Sequence, residues 1–153
     1  MQYVRHGSTY VIRFEDGETF PDRFLDFLST KRVAGGSFSG LGAMKWIRIA
    51  FFDVETRRYQ DREFDEQMEV LALVGNVALY EGQPLVHAHV TLGRRDYSLL
   101  GGHVRSGIVR PTLEVTLQVS AENVQSDSEA LRRSVDPVYG LPALDLRNRF
   151  RSQ

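Results

Sequence analysis

Residues His87-Ala-His-Val-Thr-Leu-Gly-Arg-Arg-Asp-Tyr-Ser-Leu-Leu-Gly-Gly-His-Val104, HAHVTLGRRDYSLLGGHV, hold three of the four histidines in this 153-residue chain. Two runs of β-forming residues flank the polar Arg94-Arg95-Asp96, the pattern of two antiparallel strands joined by a short turn. On a strand, positions i and i+2 share a face. His87 and His89 therefore project side by side, while Ala88 and Val90 turn inward. If Arg94–Asp96 is a three-residue loop with Gly93 opposite Tyr97, His87 lies opposite His103 and His89 opposite Gly101. Opposed residues of an antiparallel pair share a face, so all three imidazoles converge, with Gly101 leaving room beside His89. A two- or four-residue loop would send His103 to the reverse face.

Three neutral imidazoles with a fourth position open form a ligand set suited to zinc, with nickel, copper and iron as alternatives. The competing reading is three half-exposed histidines bonded to neighbours or water. Cupin-type sites also use His-x-His, but follow it with a glutamate about four residues on. Here Gly93, Arg94 and Arg95 occupy that region. His6 is expected on the surface.

Working outward, Tyr10–Phe14 reads as a strand and Asp16-Gly17 as a turn. Thr19, Pro21 and Asp22 mark a helix start. Phe24, Phe27 and Leu28 follow at helical spacing, so the spacing predicts a helix to about Lys31–Val33 that buries its phenylalanines. Ala34–Met44, AGGSFSGLGAM, is dense in glycine and reads as tight loops with close backbone approach. Trp46–Asp53 reads as a strand, and Thr56–Arg62 as a polar hairpin end. Met68–Leu79 reads as a buried strand with a bulge or bend at Gly75-Asn76. Leu85–Leu92, Ser98–Val104 and Thr112–Ser120 complete the strands. Ser126 and Glu129 form a capping-box pattern before a short C-terminal helix, and Pro137, Gly140 and Pro142 follow in a loop-rich tail. The expected class is α+β: a mostly antiparallel sheet, one main helix packed on it, and a short C-terminal helix. The domain is expected over 1–145, with 146–153 a short basic tail.

The composition, 42% hydrophobic and 25% charged, fits one ordinary folded domain. Its size permits a core without disulfides, and cysteine is absent. No Cys-based zinc site or thiol nucleophile can therefore form, and a reducing cytoplasmic setting is expected. No leader-like apolar core opens the chain, and no apolar run is long enough to span a membrane. A net charge of −1 gives no global attraction to nucleic acid or anionic lipid.

The segments FEDGE (14–18), FSGLGAMKWIRIAFFD (38–53), MEVLALVGNVAL (68–79), GQPLVHAHVTLG (82–93), GGHV (101–104) and PTLEV (111–115) together resemble the plants and prokaryotes conserved (PPC) domain. The resemblance implies a compact α+β domain, a homotrimer, and metal ligation by His87, His89 and His103. Plant members lack these histidines, carry AT-hooks, and use a Gly-Arg-Phe-Glu-Ile-Leu stretch to engage transcription factors. Glu66–Leu71 keeps only the second half of that stretch, and no Arg-Gly-Arg-Pro AT-hook core is present, as in stand-alone prokaryotic members. Prokaryotic relatives are commonly described as DNA-binding.

Three functions compete for the site. One is a trimeric, metal-carrying regulatory or DNA-associated binding module; Arg94-Arg95 at the hairpin tip is its one phosphate-contact candidate. Another is a zinc-dependent hydrolase or lyase acting on a small molecule at the ion, with Glu81, Glu114 and Asp53 as acid/base candidates. The last is a metal that only staples the sheet or the trimer. No helix-turn-helix, phosphate loop, nucleotide fingerprint or Ser-His-Asp spacing is visible.

Overall fold

The computed structural model describes residues 1–126 and 129–146. Among them the chain runs β1 (Gln2–His6), β2 (Thr9–Phe14), β3 (Thr19–Phe20), α1 (Asp22–Thr30), β4 (Val33–Asp53), β5 (Arg58–Phe64), β6 (Met68–Tyr80), β7 (Gln83–Gly93), β8 (Leu99–Glu122), β9 (Arg133–Val135) and β10 (Pro142–Leu144). It is a mostly antiparallel β structure with a single short helix. Every strand ladder is antiparallel; one isolated parallel bridge joins Leu79 to Arg132. No helix among the described residues is long and apolar enough to cross a membrane.

Two long strands organise the sheet. β4 pairs with β6 and then β5 along one edge, and with β8 along nearly its whole length on the other. β8 also pairs with β7, and β7 with β6, so hydrogen bonding returns to its start through β4, β6, β7 and β8. Such closure removes exposed edges where the strands pair on both sides; β7 meets β8 only over His89–Gly93. β2 and β1 extend the other side of β8.

The core joins alternate residues of these strands, including Ile12, Phe14, Met44, Ile47, Leu73, Leu92, Leu113 and Leu117. Phe24, Phe27 and Leu28 of α1 are buried in the same cluster, at the expected helical spacing. The Phe24 ring stands 5.0 Å from that of Phe38 on β4 and 5.7 Å from that of Phe20 on β3. Aromatic pairs at such spacings add directional contact to area burial.

Several expectations are corrected. Thr19 belongs to β3, opposite Ile108, and α1 has no side-chain cap; Pro21 holds the N-cap position. The helix stops at Thr30, because Arg32 takes a left-handed conformation (φ 53°) and Val33 already starts β4. Ala34–Met44 is the first half of β4 rather than loops. Close backbone approach there is real, since a Cβ at Gly36 would lie 2.7 Å from the Gln118 carbonyl oxygen. Gly75 and Asn76 stay in regular register opposite Ala88 and His87; the irregularity of β6 falls between Val70 and Ala72. Gly75 is needed because the Phe38 ring fills the space a side chain would take.

No C-terminal helix is present among the described residues. Ser126 and Glu129 do meet, as the Glu129 amide donates to the Ser126 carbonyl and the Ser126 hydroxyl donates to Oε1 of Glu129. That contact closes a turn, and Arg133 then enters β9. Of the basic tail, residues 147–153 lie outside the described residues. β1 is a strand that sequence patterning missed: QYVRH is exposed along its length and gives no inside–outside alternation.

Candidate metal centre

The hairpin that carries the histidines is built at its tip. The Tyr97 amide donates to the Arg94 carbonyl (2.9 Å), the Arg94 amide donates to the Ser98 carbonyl (2.9 Å), and Tyr97 has φ 64°. This is a three-residue loop made of a tight turn followed by a left-handed residue. It comprises Arg95–Tyr97 rather than Arg94–Asp96. Asp96 fixes it by accepting from the Ser98 amide and hydroxyl.

Moving the loop one residue along shifts the strand register by two. His89, not His87, faces His103, and Gly101 faces Thr91. Because the side-chain period is two, this leaves every residue on its expected face. Gly101 is explained differently as well: a Cβ there would lie 2.5 Å from the Val90 carbonyl oxygen, so it permits close strand approach.

The three rings therefore converge. Centroid separations are 5.2 Å for His87–His89, 5.2 Å for His87–His103 and 5.4 Å for His89–His103. One ring nitrogen from each histidine lies within 4.8 Å of the other two. Tetrahedral zinc, with bonds near 2.05 Å, sets ligand nitrogens about 3.3 Å apart.

The chemistry of the donors agrees. Nδ1 of His103 is buried and has no hydrogen-bond partner, a costly state for a polar ring nitrogen. Burial, followed by the neighbouring His87 and His89, lowers the His103 pKa to about 4. Burial and the nearby Arg133 lower that of His87. Both rings are thus neutral at pH 7, the form a metal needs.

Adjacent strands supply the surroundings. One row across the sheet reads Asp61, Ala50, His103, His89 and Val74 from β5 to β6. Tyr59 lies 5.0 Å from His103, centroid to centroid. Arg105 stacks on Tyr59 and donates from Nε to Asp61 (3.1 Å). On the open side, His87 and His103 line a cleft of about 550 Å³ that also includes Asn76 and Arg133.

The carboxylates expected near the site are elsewhere. Asp53 spends its Oδ1 on the Glu55 and Thr56 amides and its Oδ2 on Gln60, closing the β4–β5 turn. Glu114 faces Arg13 and Leu41, far along β8 from His103. Glu81 sits in the β6–β7 turn with φ 52°. None joins the three histidines or lines the cleft. His6 is exposed at the end of β1, as expected. Arg94 is tied to Glu66 and lies over the Phe64 ring, which leaves Arg95 the freer cation at the tip. Sequence reading missed Asn76 and Arg133. A lone amide inside an apolar strand was the available signal for Asn76; nothing local in LRRS pointed Arg133 inward.

The family profile of the Plants and Prokaryotes Conserved (PCC) domain matches residues 1–121. The chain belongs to the PCC family. Among solved structures it resembles a candidate DNA-binding protein of Bacteroides thetaiotaomicron, with 31% identity, TM-score 0.85, and coverage of 94% of this chain and 96% of that one. A metal-containing protein of Archaeoglobus fulgidus shares 30% identity, TM-score 0.79, over 90% and 93%. A Pyrococcus horikoshii plant- and prokaryote-conserved protein shares 28% identity, TM-score 0.80, over 94% and 93%. A search of curated proteins found no match. Most of β8 and everything before it fall inside the family match; β9 and β10 follow it.

Proposed function

We propose that this PCC domain holds a divalent transition metal, zinc foremost, through His87, His89 and His103. The observation that carries the reading is the convergence of one nitrogen from each ring within 4.8 Å, with an orphaned buried Nδ1 on His103. The metal-containing description of the archaeal relative is in keeping with it. Protein purified without a His tag should contain one ion per chain, lost in His103→Ala. Absence of metal, with no zinc uptake at neutral pH, would remove the reading.

The domain acts, in this proposal, as a cytoplasmic homotrimeric binding module with a regulatory or DNA-associated role. Exposed apolar side chains on neighbouring strands, Val11, Leu41, Leu71 and Val74, favour association. Sedimentation should give three chains per particle. The DNA-associated role rests on the description of the Bacteroides relative. A gel shift on random duplex at low salt tests it, and no retardation ends it.

A second reading, a zinc-dependent hydrolase or lyase, is favoured by one observation: His87 and His103 open into a cleft rather than into packed core. A bound ion with an open position would supply Lewis acidity and a water of lowered pKa. The chain's own part would be to place three imidazole rings and wall the cleft. A panel of hydrolase and lyase substrates, with and without chelator, should show activity that His89→Ala abolishes; activity indifferent to that change contradicts the reading.

A further inference from the structure

Arg133 has the only charged side chain in the interior of the described residues, at 8% exposure. Its Nη1 donates to the Pro142 carbonyl (2.8 Å) and its Nη2 to Oδ1 of Asn76, both neutral acceptors. Its Nε–H is buried and has no partner. Among the described residues no carboxylate lies within ion-pair distance of it. Arginine stays charged at any physiological pH, and an unpaired buried charge is expensive. The cleft's other guanidinium, Arg105, is already balanced by Asp61.

We propose that the cleft binds a small aliphatic carboxylate, its head held by Arg133 and within reach of the ion bound by the three histidines. The proposal rests on the metal reading above for its second contact, not for its first. Asn76, which grips Arg133, is the cross-strand partner of His87, so the guanidinium, His87 and His103 face the same cleft. Guanidinium matches a carboxylate in a two-point fork. The remaining walls decide the body of the ligand. Leu85, Val86, Val104, Leu141 and Leu144 line them, so an aliphatic chain covers apolar surface that a bare phosphate would leave wet. A volume of about 550 Å³ suits a small molecule.

The test uses full-length protein titrated first with Co²⁺, whose visible absorption reports coordination, and then with butyrate. n-Butanol and inorganic phosphate serve as comparison ligands, and calorimetry gives affinities. Butyrate is expected to bind and to perturb the Co²⁺ spectrum. It should bind at least tenfold more weakly to Arg133→Gln, with Co²⁺ uptake retained. In Leu85→Glu, which places a competing carboxylate on the same strand face as His87, butyrate binding should be lost and Co²⁺ binding kept. This second variant decides the matter if Arg133→Gln does not fold. Butyrate binding unchanged in either folded variant, or matched by butanol, overturns the proposal. Phosphate binding in place of butyrate overturns it too. If Co²⁺ gives no absorption before butyrate is added, the metal reading falls by itself. Butyrate heat on the metal-free chain, lost in the variants, would then still support the Arg133 contact, and no heat would overturn it.

Discussion

The glycine-rich half of β4, Val33–Met44, and the histidine hairpin of β7 and β8 belong to one sheet but are held by different constraints. In the first, the backbone is pressed on both sides. Gly36 and Gly40 would each set a Cβ within 2.7 Å of a carbonyl oxygen on β8, and Gly42 (φ 152°) is crowded by the Thr112 carbonyl and Leu113. In the second, side-chain direction is what matters, and a two-residue error in register does not alter it. Glycine at a given position has no single meaning: it can mark a turn or permit contact between strands. Period-two alternation has only one meaning once a strand is granted.

That contrast explains what the sequence made legible. The His87, His89 and His103 face could be read because it needs only parity, which survived the misplaced loop. The misplacement itself came from Tyr97, which takes a left-handed conformation usually given to glycine. The first half of β4 could not be read, because the reason for its glycines is a neighbour about 80 residues away in sequence, at Gln118 and Glu114. Arg133 failed for the same reason. Its partners, Asn76 and the Pro142 carbonyl, come from β6 and β10, and a charged residue within LRRS looks solvated until the strand that delivers it is known. Of the three carboxylates, Asp53 ends β4 and Glu81 follows β6, while Glu114 lies within β8, and none of these places is beside the histidines.

One methyl group on β4 is enough to test the close approach. Gly36→Ala should cost about 3 kcal/mol, because the clash is with backbone and neither strand can withdraw without opening the ladder. In a chain of this length that lowers the melting temperature by roughly 6–12 °C. Gly82→Ala, in the β6–β7 turn with open space around it (φ 79°), should cost only about 1 kcal/mol of backbone strain. Equal losses in thermal melts would mean that close approach is not what the β4 glycines provide.

The hairpin is tested next by the zinc proposed for it. Zinc at a free concentration 100 times its dissociation constant should add about 2.7 kcal/mol, or roughly 5–11 °C in melting temperature. His103→Ala should abolish this gain, and chelator should remove it from the parent protein. An equal zinc shift in the variant would separate the three rings from the metal.

Acid sharpens the same point in the metal-free protein. Unfolded histidine titrates near 6.5, whereas His103 in the fold is held at about 4 by burial and its neighbours. Between those values the unfolded chain takes up a proton that the folded ring does not, so acid favours unfolding. The contribution is complete above about 6.5 and is lost as pH falls toward 4. Allowing for solvent around a half-buried ring, the loss from pH 7 to pH 5 should be about 1 kcal/mol, a window above most carboxylate titration. Denaturant melts at the two pH values should show a smaller difference in His103→Ala, and an unchanged difference would place the acid sensitivity elsewhere.

The smallest effect isolates the loop. Tyr97 is 92% exposed and left-handed, so its ring gains little contact while its backbone bears strain. Tyr97→Gly should relieve that strain and stabilise the protein by about 0.5–1 kcal/mol, the gain reduced by glycine's freedom when unfolded. Zinc affinity should not change. His103 is fixed from its other edge by Ala50 of β4 as well as by His89, so its position does not depend on the tip that lies six residues away. A change in zinc affinity would show instead that the turn sets the register of the triad, and that β4 merely follows the hairpin.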